Sequence, residues 1–94
     1  MSLFPPEEIG FYRLVEQTFL VLKGSGLMLS ATDAERVRSW EATGVPARVV
    51  CDALEHGFEA YAQRNPGASK PTSLAYFRKT VESAIRGWRE REVG

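Results

Sequence analysis

Residues 29–61 read LSATDAERVRSWEATGVPARVVCDALEHGFEAY, and this stretch decides the fold. Ser30 with Asp33 three residues on forms a variant capping box, Asp replacing the usual Glu, and opens a helix predicted over 31–43. Ala34, Val37 and Trp40 recur there on one side, with Glu35, Arg38 and Ser39 on the other. Gly44 is placed to end the helix in a left-handed conformation. Val45-Pro46 opens the next helix, since proline has no amide hydrogen to leave unpaired in a first turn. Along it Ala47, Val49, Val50, Cys51, Ala53, Leu54, Phe58, Ala60 and Tyr61, with Gly57 among them, span more than half the wheel. Arg48, Asp52, Glu55, Glu59 and Gln63 gather opposite, so this is expected to be the most buried helix.

Working outward, Asn65-Pro66-Gly67-Ala68-Ser69-Lys70-Pro71 is the longest polar loop and stops the third helix. Residues 73–88, SLAYFRKTVESAIRGW, make the fourth helix, capped by Thr72 or Ser73 and reaching about Glu92. Its core stripe is Leu74, Phe77, Val81, Ala84, Ile85 and Trp88. Toward the start, Phe4-Pro5-Pro6-Glu7-Glu8 reads as a helix entrance, predicting a helix from about Pro6 to Lys23 that ends at Gly24-Ser25-Gly26. Leu27-Met28-Leu29 is an apolar connector that can staple the helix after it. The whole reads as a single all-α domain over residues 1–94, a compact bundle of about four helices with short connections.

The first helix carries the first functional signal. Of Ile9, Phe11, Tyr12, Leu14, Val15, Phe19, Leu20, Val21 and Leu22, most cover roughly half its circumference, wider than one core contact requires. Such a helix either lies centrally in its own domain or shares its surplus face with another chain. The second option makes Phe11, Leu14, Phe19 and Leu22 partner-binding candidates. On the last helix Tyr76, Ser83 and Gly87 lie away from the core stripe. Glycine inside a helix costs about 1 kcal/mol relative to alanine, so Gly87 marks either close approach of another backbone or tolerance near a fraying end. Tyr76 and Gly87 join the partner-binding set.

Twelve basic and twelve acidic residues cancel, unlike a strongly basic nucleic-acid binder or an acidic tail. The charges are nevertheless segregated. From Lys70 onward six basic residues face three acidic ones, leaving a matching acidic excess in residues 1–69. Arg78, Lys79, Arg86 and Arg89 flank the last core stripe with Glu82 between them, a layout that suits either phosphates or simple pairing along the helix.

Catalytic chemistry finds little to work with. His56 is the one histidine, with Asp52 a turn before it on the border of a polar face, where a solvated pair is commonplace. Ser30, Thr72 and Ser73 are explained as helix caps. Cys51 is the single cysteine, so neither an internal disulfide nor a thiolate zinc cluster can form, and it reads as a small apolar filler. No Glu-x-x-His or His-x-x-x-His spacing supports a metal site, and Gly24-Ser25-Gly26 lacks the lysine of a phosphate loop. The expectation is no catalytic residue, no metal, no cofactor and no small-molecule substrate. The longest apolar tract, Phe19 to Leu22, is far short of a membrane span, and no signal pattern opens the chain, which makes a cytoplasmic location the expectation.

The run LSATDAERVRSWEATGVPARVVCDALEHGF resembles the Leu-Ser-x-x-Asp, Trp, Gly-(Ile/Phe)-(Pro/Ser), (Leu/Val)-(Ile/Val)-x-x-Ala-(Ile/Leu) pattern of bacterial DnaD-like domains. SLAYFRKTVESAIRGW is similar to their closing helix, and the likeness covers about residues 29–88. Tyr76 and Phe77 stand where that family's Tyr-Ile begins. Thr80 takes an apolar position, Ala84 stands at the expected tryptophan, Trp88 comes one turn later, and no basic tail follows. The resemblance implies a helical domain of replication restart and primosome assembly that contacts DNA and proteins through its last helix.

Two functions follow as expectations. One is a non-enzymatic interaction or adaptor module of a bacterial cytoplasmic complex, self-associating as a homo-oligomer or docking a protein. The other is a DNA-binding replication accessory factor that places Arg78, Lys79, Arg86 and Arg89 on phosphates.

Overall fold

The structure is a computed structural model and describes residues 10–93. These residues form four α-helices, α1 (Phe11–Lys23), α2 (Ala31–Glu41), α3 (Ala47–Arg64) and α4 (Arg78–Val93), with a single 3-10 turn, Leu74–Phe77, leading into α4. The all-α bundle expected from the periodicity is the fold. The proline-glutamate entrance before Gly10 lies outside the described residues.

Each helix boundary has a local cause. Gly24 ends α1 at φ 81°, its N–H donating to the Leu20 carbonyl, and Gly44 turns the chain after α2 at φ 83°. A side chain at either position would be strained in that left-handed region. α2 stops at Glu41 and residues 42–44 form a turn, slightly earlier than its apolar pattern suggests. Pro46 sits just ahead of α3 in extended conformation, at φ −64° and ψ 146°, and so serves as the residue before the first turn. At the last helix the N-capping residue is Ser73: its Oγ accepts from the Ala75 N–H at 3.1 Å.

The capping box at Ser30 is half formed. Ser30 Oγ accepts from the Asp33 N–H at 3.1 Å, as the motif requires. Asp33 does not return the bond. It is 4% exposed, and its Oδ1 accepts from Ser73 Oγ and from the Leu74 N–H, both at 3.1 Å. One acceptor in the first turn of α2 therefore holds the entrance of the final helical segment, about forty residues away. Leu29 and Ala34 are both buried, the positions a hydrophobic staple occupies around Ser30.

α3 is the central helix, with α1 packed on one flank and α4 on the other; α2 lies against α1 and the 3-10 turn. Val50, Leu54 and Phe58 of α3 meet Val15 and Phe19 of α1 and Phe77 and Val81 from the C-terminal side in one core. Phe58 stacks on Phe77 with ring centroids 4.5 Å apart, and Phe19 tilts against Phe58 at 5.9 Å. Gly57 makes that stacking possible: a Cβ there would stand 2.6 Å from Phe77 Cδ1. Arg38 lies over the Tyr12 ring at 5.2 Å, fastening α2 to α1.

Candidate functional site

The structure corrects one expectation about α1. Phe19, expected on a face shared with another chain, is fully buried in the core, as is Val15 one turn earlier. Phe11 and Leu22 are half-buried and lean on the same core, and Leu14 is half-buried with its carbonyl facing Cys51 Sγ at 3.8 Å. The physical reason is that α1 touches two neighbours, α2 and α3. Two contacts consume the wide apolar arc, so its width marks a helix wedged between partners of its own chain.

The apolar surface that does reach solvent lies farther round α1 and on the connector after it. Val21 is 77% exposed, Leu27 97% and Met28 72%. With Leu20, Arg13 and Gln17 they line a shallow hollow of about 570 Å³ at the α1–α2 corner. Val21 falls one and two turns beyond Gln17 and Arg13, on the wet strip, and Leu27-Met28 follow a glycine turn with no helix of their own. That position is the signal sequence reasoning passed over: a large apolar residue among polar neighbours has nothing in its own helix to hide it.

At the same C-terminal end of α1 the chain builds a second surface. Lys70 Nζ donates to the Leu22 carbonyl at 3.0 Å, and Tyr61 Oη donates to the Ser69 carbonyl at 2.8 Å, so the loop after α3 is pinned over the end of α1. Beneath it runs a groove of about 470 Å³ lined by apolar Leu22, Phe58 and Ala62 together with Glu55, Glu59, Tyr61 and Lys70. Tyr76 stands edge-on to Tyr61 at 5.3 Å and to Phe77 at 5.0 Å, yet is 51% exposed. Two residues expected at an interface, Leu22 and Tyr76, thus border the same tyrosine. Phe11 lies about 16 Å away at the far end of α1 by helical rise.

Gly87 occupies a third place. It is half-buried in a groove of about 510 Å³ between α3 and α4, with Ala53, Ser83, Arg48 and Arg91. Among the described residues a Cβ there would meet only Arg91 Nη1, at 3.4 Å, so none of their backbone requires the glycine. Arg78, Lys79, Arg86 and Arg89 are all exposed along α4. Arg78 pairs with Glu82 at 3.3 Å, the single ion pair among the described residues.

The groups with reactive potential are Cys51, Asp52 and His56 on α3. Cys51 Sγ accepts from Thr18 Oγ1 at 3.2 Å. Burial pushes its thiol above the ordinary value of 9.0; the Thr18 hydroxyl opposes that rise, while the nearby Asp52 and Glu55 charges add to it. Asp52 and His56 are both exposed and border the α3–α4 groove without a hydrogen bond between them. No three His, Cys, Asp or Glu side chains among the described residues gather where they would hold a metal ion. No helix among those residues is long and apolar enough to cross a membrane.

No curated protein and no solved structure matches the chain. Residues 10–94, nearly the entire chain and all of the helical bundle, match a family described as "Uncharacterised protein", and the chain belongs to that family.

Proposed function

We propose that this chain is a non-catalytic helical interaction module, an adaptor that docks a protein through the α1–α2 corner. The observation that carries the reading is the cluster of Val21, Leu27 and Met28, three large apolar side chains standing in water at one corner. Apolar surface gathered in one place favours association, and a polar rim such as Arg13 and Gln17 gives such a surface its orientation. None of the three side chains belongs to the core, so their exposure has no role in holding the fold.

The test is a photo-crosslinking residue placed at Leu27, with the adduct identified by mass spectrometry in cells. A single adduct, to another copy or to one protein, that Val21→Asp abolishes would support the reading. Absence of any adduct, together with a constant monomer mass in light scattering, would overturn it.

A second reading is favoured by the four exposed basic residues along α4 and by the DnaD-like resemblance of residues 29–88. In it the chain is a DNA-associated replication accessory factor, with Arg78, Lys79, Arg86 and Arg89 on phosphates. Duplex-DNA affinity would then fall steeply with salt, and Arg86→Glu with Arg89→Glu would remove it. A fluorescence anisotropy titration that stays flat at low salt would dismiss it.

A further inference from the structure

The groove beneath the 65–71 loop and the tyrosine beside it are complementary to each other. Its lining joins apolar Leu22, Phe58 and Ala62 to Glu55 and Glu59, both exposed and one helical turn apart. Neither carboxyl group makes an ion pair within the described residues. Lys70 stands at the same groove and donates to the Leu22 carbonyl, a neutral acceptor that leaves its charge intact, so two acidic groups and one basic one give the groove a net negative excess.

Across Tyr61 stands an edge of opposite character. Tyr76 is held by Tyr61 and Phe77, both edge-on, while half its surface faces water. A preset aromatic ring loses little freedom on burial, and this is why such rings dominate interface energetics. Lys79 and Arg86, two turns apart on α4, follow it. Glu82, the acid among them, is occupied by Arg78, which leaves Lys79 and Arg86 without an ion pair among the described residues.

We propose that this groove seats a second copy of the chain in a two-fold contact: Tyr76 of each copy enters the groove of the other, and Lys79 and Arg86 face the other copy's Glu55 and Glu59. Charge complementarity selects the occupant. An acid-rimmed apolar groove and an aromatic-basic edge on one molecule satisfy each other twice about a two-fold axis, and the assembly closes at two copies. The zero net charge of the chain, split into an acidic and a basic part, suits such pairing. This inference goes beyond the α1–α2 corner reading: it concerns a different surface and stands or falls separately from it.

The experiment is sedimentation equilibrium on the full chain, with two charge-reversed variants. At low salt the wild type should form a reversible dimer that weakens as salt is added. Tyr76→Ala should weaken it by about tenfold or more. Glu55→Lys with Glu59→Lys should be monomeric alone, because a basic groove then meets a basic edge. Lys79→Glu with Arg86→Glu should be monomeric for the converse reason. An equimolar mixture of the two variants should dimerise again, since both reciprocal contacts regain opposite charges. All four substituted charges are exposed, and circular dichroism checks that each variant stays helical.

A wild type that remains monomeric at low salt overturns the proposal, and so does a mixture that fails to dimerise. If Val21→Asp dissociates the dimer while the mixture does not restore it, the α1–α2 corner is the docking surface and the groove is discarded. If the mixture dimerises and the Leu27 crosslinker finds nothing, the groove stands and the corner is discarded. Duplex DNA bound by a chain that stays monomeric, and lost in Lys79→Glu with Arg86→Glu, would assign the basic edge to nucleic acid and overturn the dimer.

Discussion

Asp33 Oδ1 accepts two hydrogen bonds in a buried setting, one of them from a backbone amide with no other partner. Asp33→Ala removes the acceptor and leaves the Leu74 N–H buried and unpaired. The loss should be about 2–4 kcal/mol in urea unfolding, whereas Asp33→Asn keeps an acceptor oxygen and should lose less. A capping-box pattern is local, so the sequence located Ser30 and Asp33 but not the destination of the Asp33 side chain. Cys51 gives a second test. Burial holds its folded thiol above the ordinary 9.0, so the folded chain keeps a proton that the unfolded chain releases. Its contribution to stability is constant below the unfolded value and falls as pH rises past it. Urea midpoints at neutral pH and above pH 9.0 should show a steeper alkaline decline for the wild type than for Cys51→Ala.

Two glycines lie inside helices, one on the apolar arc of α3 and one off the core stripe of α4, and their surroundings differ accordingly. Gly57 on α3 faces the Phe77 ring, with 2.6 Å between a would-be Cβ and Cδ1. Gly57→Ala should force the aromatic stack apart and cost about 1–3 kcal/mol. Gly87 on α4 meets only the movable tip of Arg91. Gly87→Ala should raise stability by up to about 1 kcal/mol through helix propensity, and thermal melts of the pair separate the two cases. Helix α1 shows what periodicity omits. The width of an apolar arc states how much of a helix is dry, not how many neighbours dry it, and α1 has two. The stop at Gly24, the turn at Gly44 and a cap at Thr72 or Ser73 were readable because each acts on its own few residues, and the structure selects Ser73. The 3-10 turn at Leu74–Phe77 was not, since it is fixed by the bond to Asp33 from another helix.

For the molecule as a whole, the surface divides into an apolar corner at Val21, Leu27 and Met28, an acid-rimmed groove, and a basic edge on α4. Leu27→Asp removes none of the core, so unfolding free energy should change by no more than about 0.5 kcal/mol while any assembly through that corner is lost; a melt paired with light scattering reads both. The sequence indicated the basic edge and Tyr76 because charges and an off-stripe tyrosine are visible in one helix. It did not reveal the groove, whose walls come from α1, α3 and a loop that meet only in the folded chain.

The bond from Asp33 to Leu74 also bears on how the bundle opens. The two residues are far apart in the chain, so the final helical segment acquires its anchored start only once α2 is in place. Partial unzipping from the C-terminal side would break that anchor and uncover the Leu74 and Phe77 side chains together. The Leu74 amide should therefore exchange its hydrogen at the pace of global unfolding, while amides toward the end of α4 exchange far sooner.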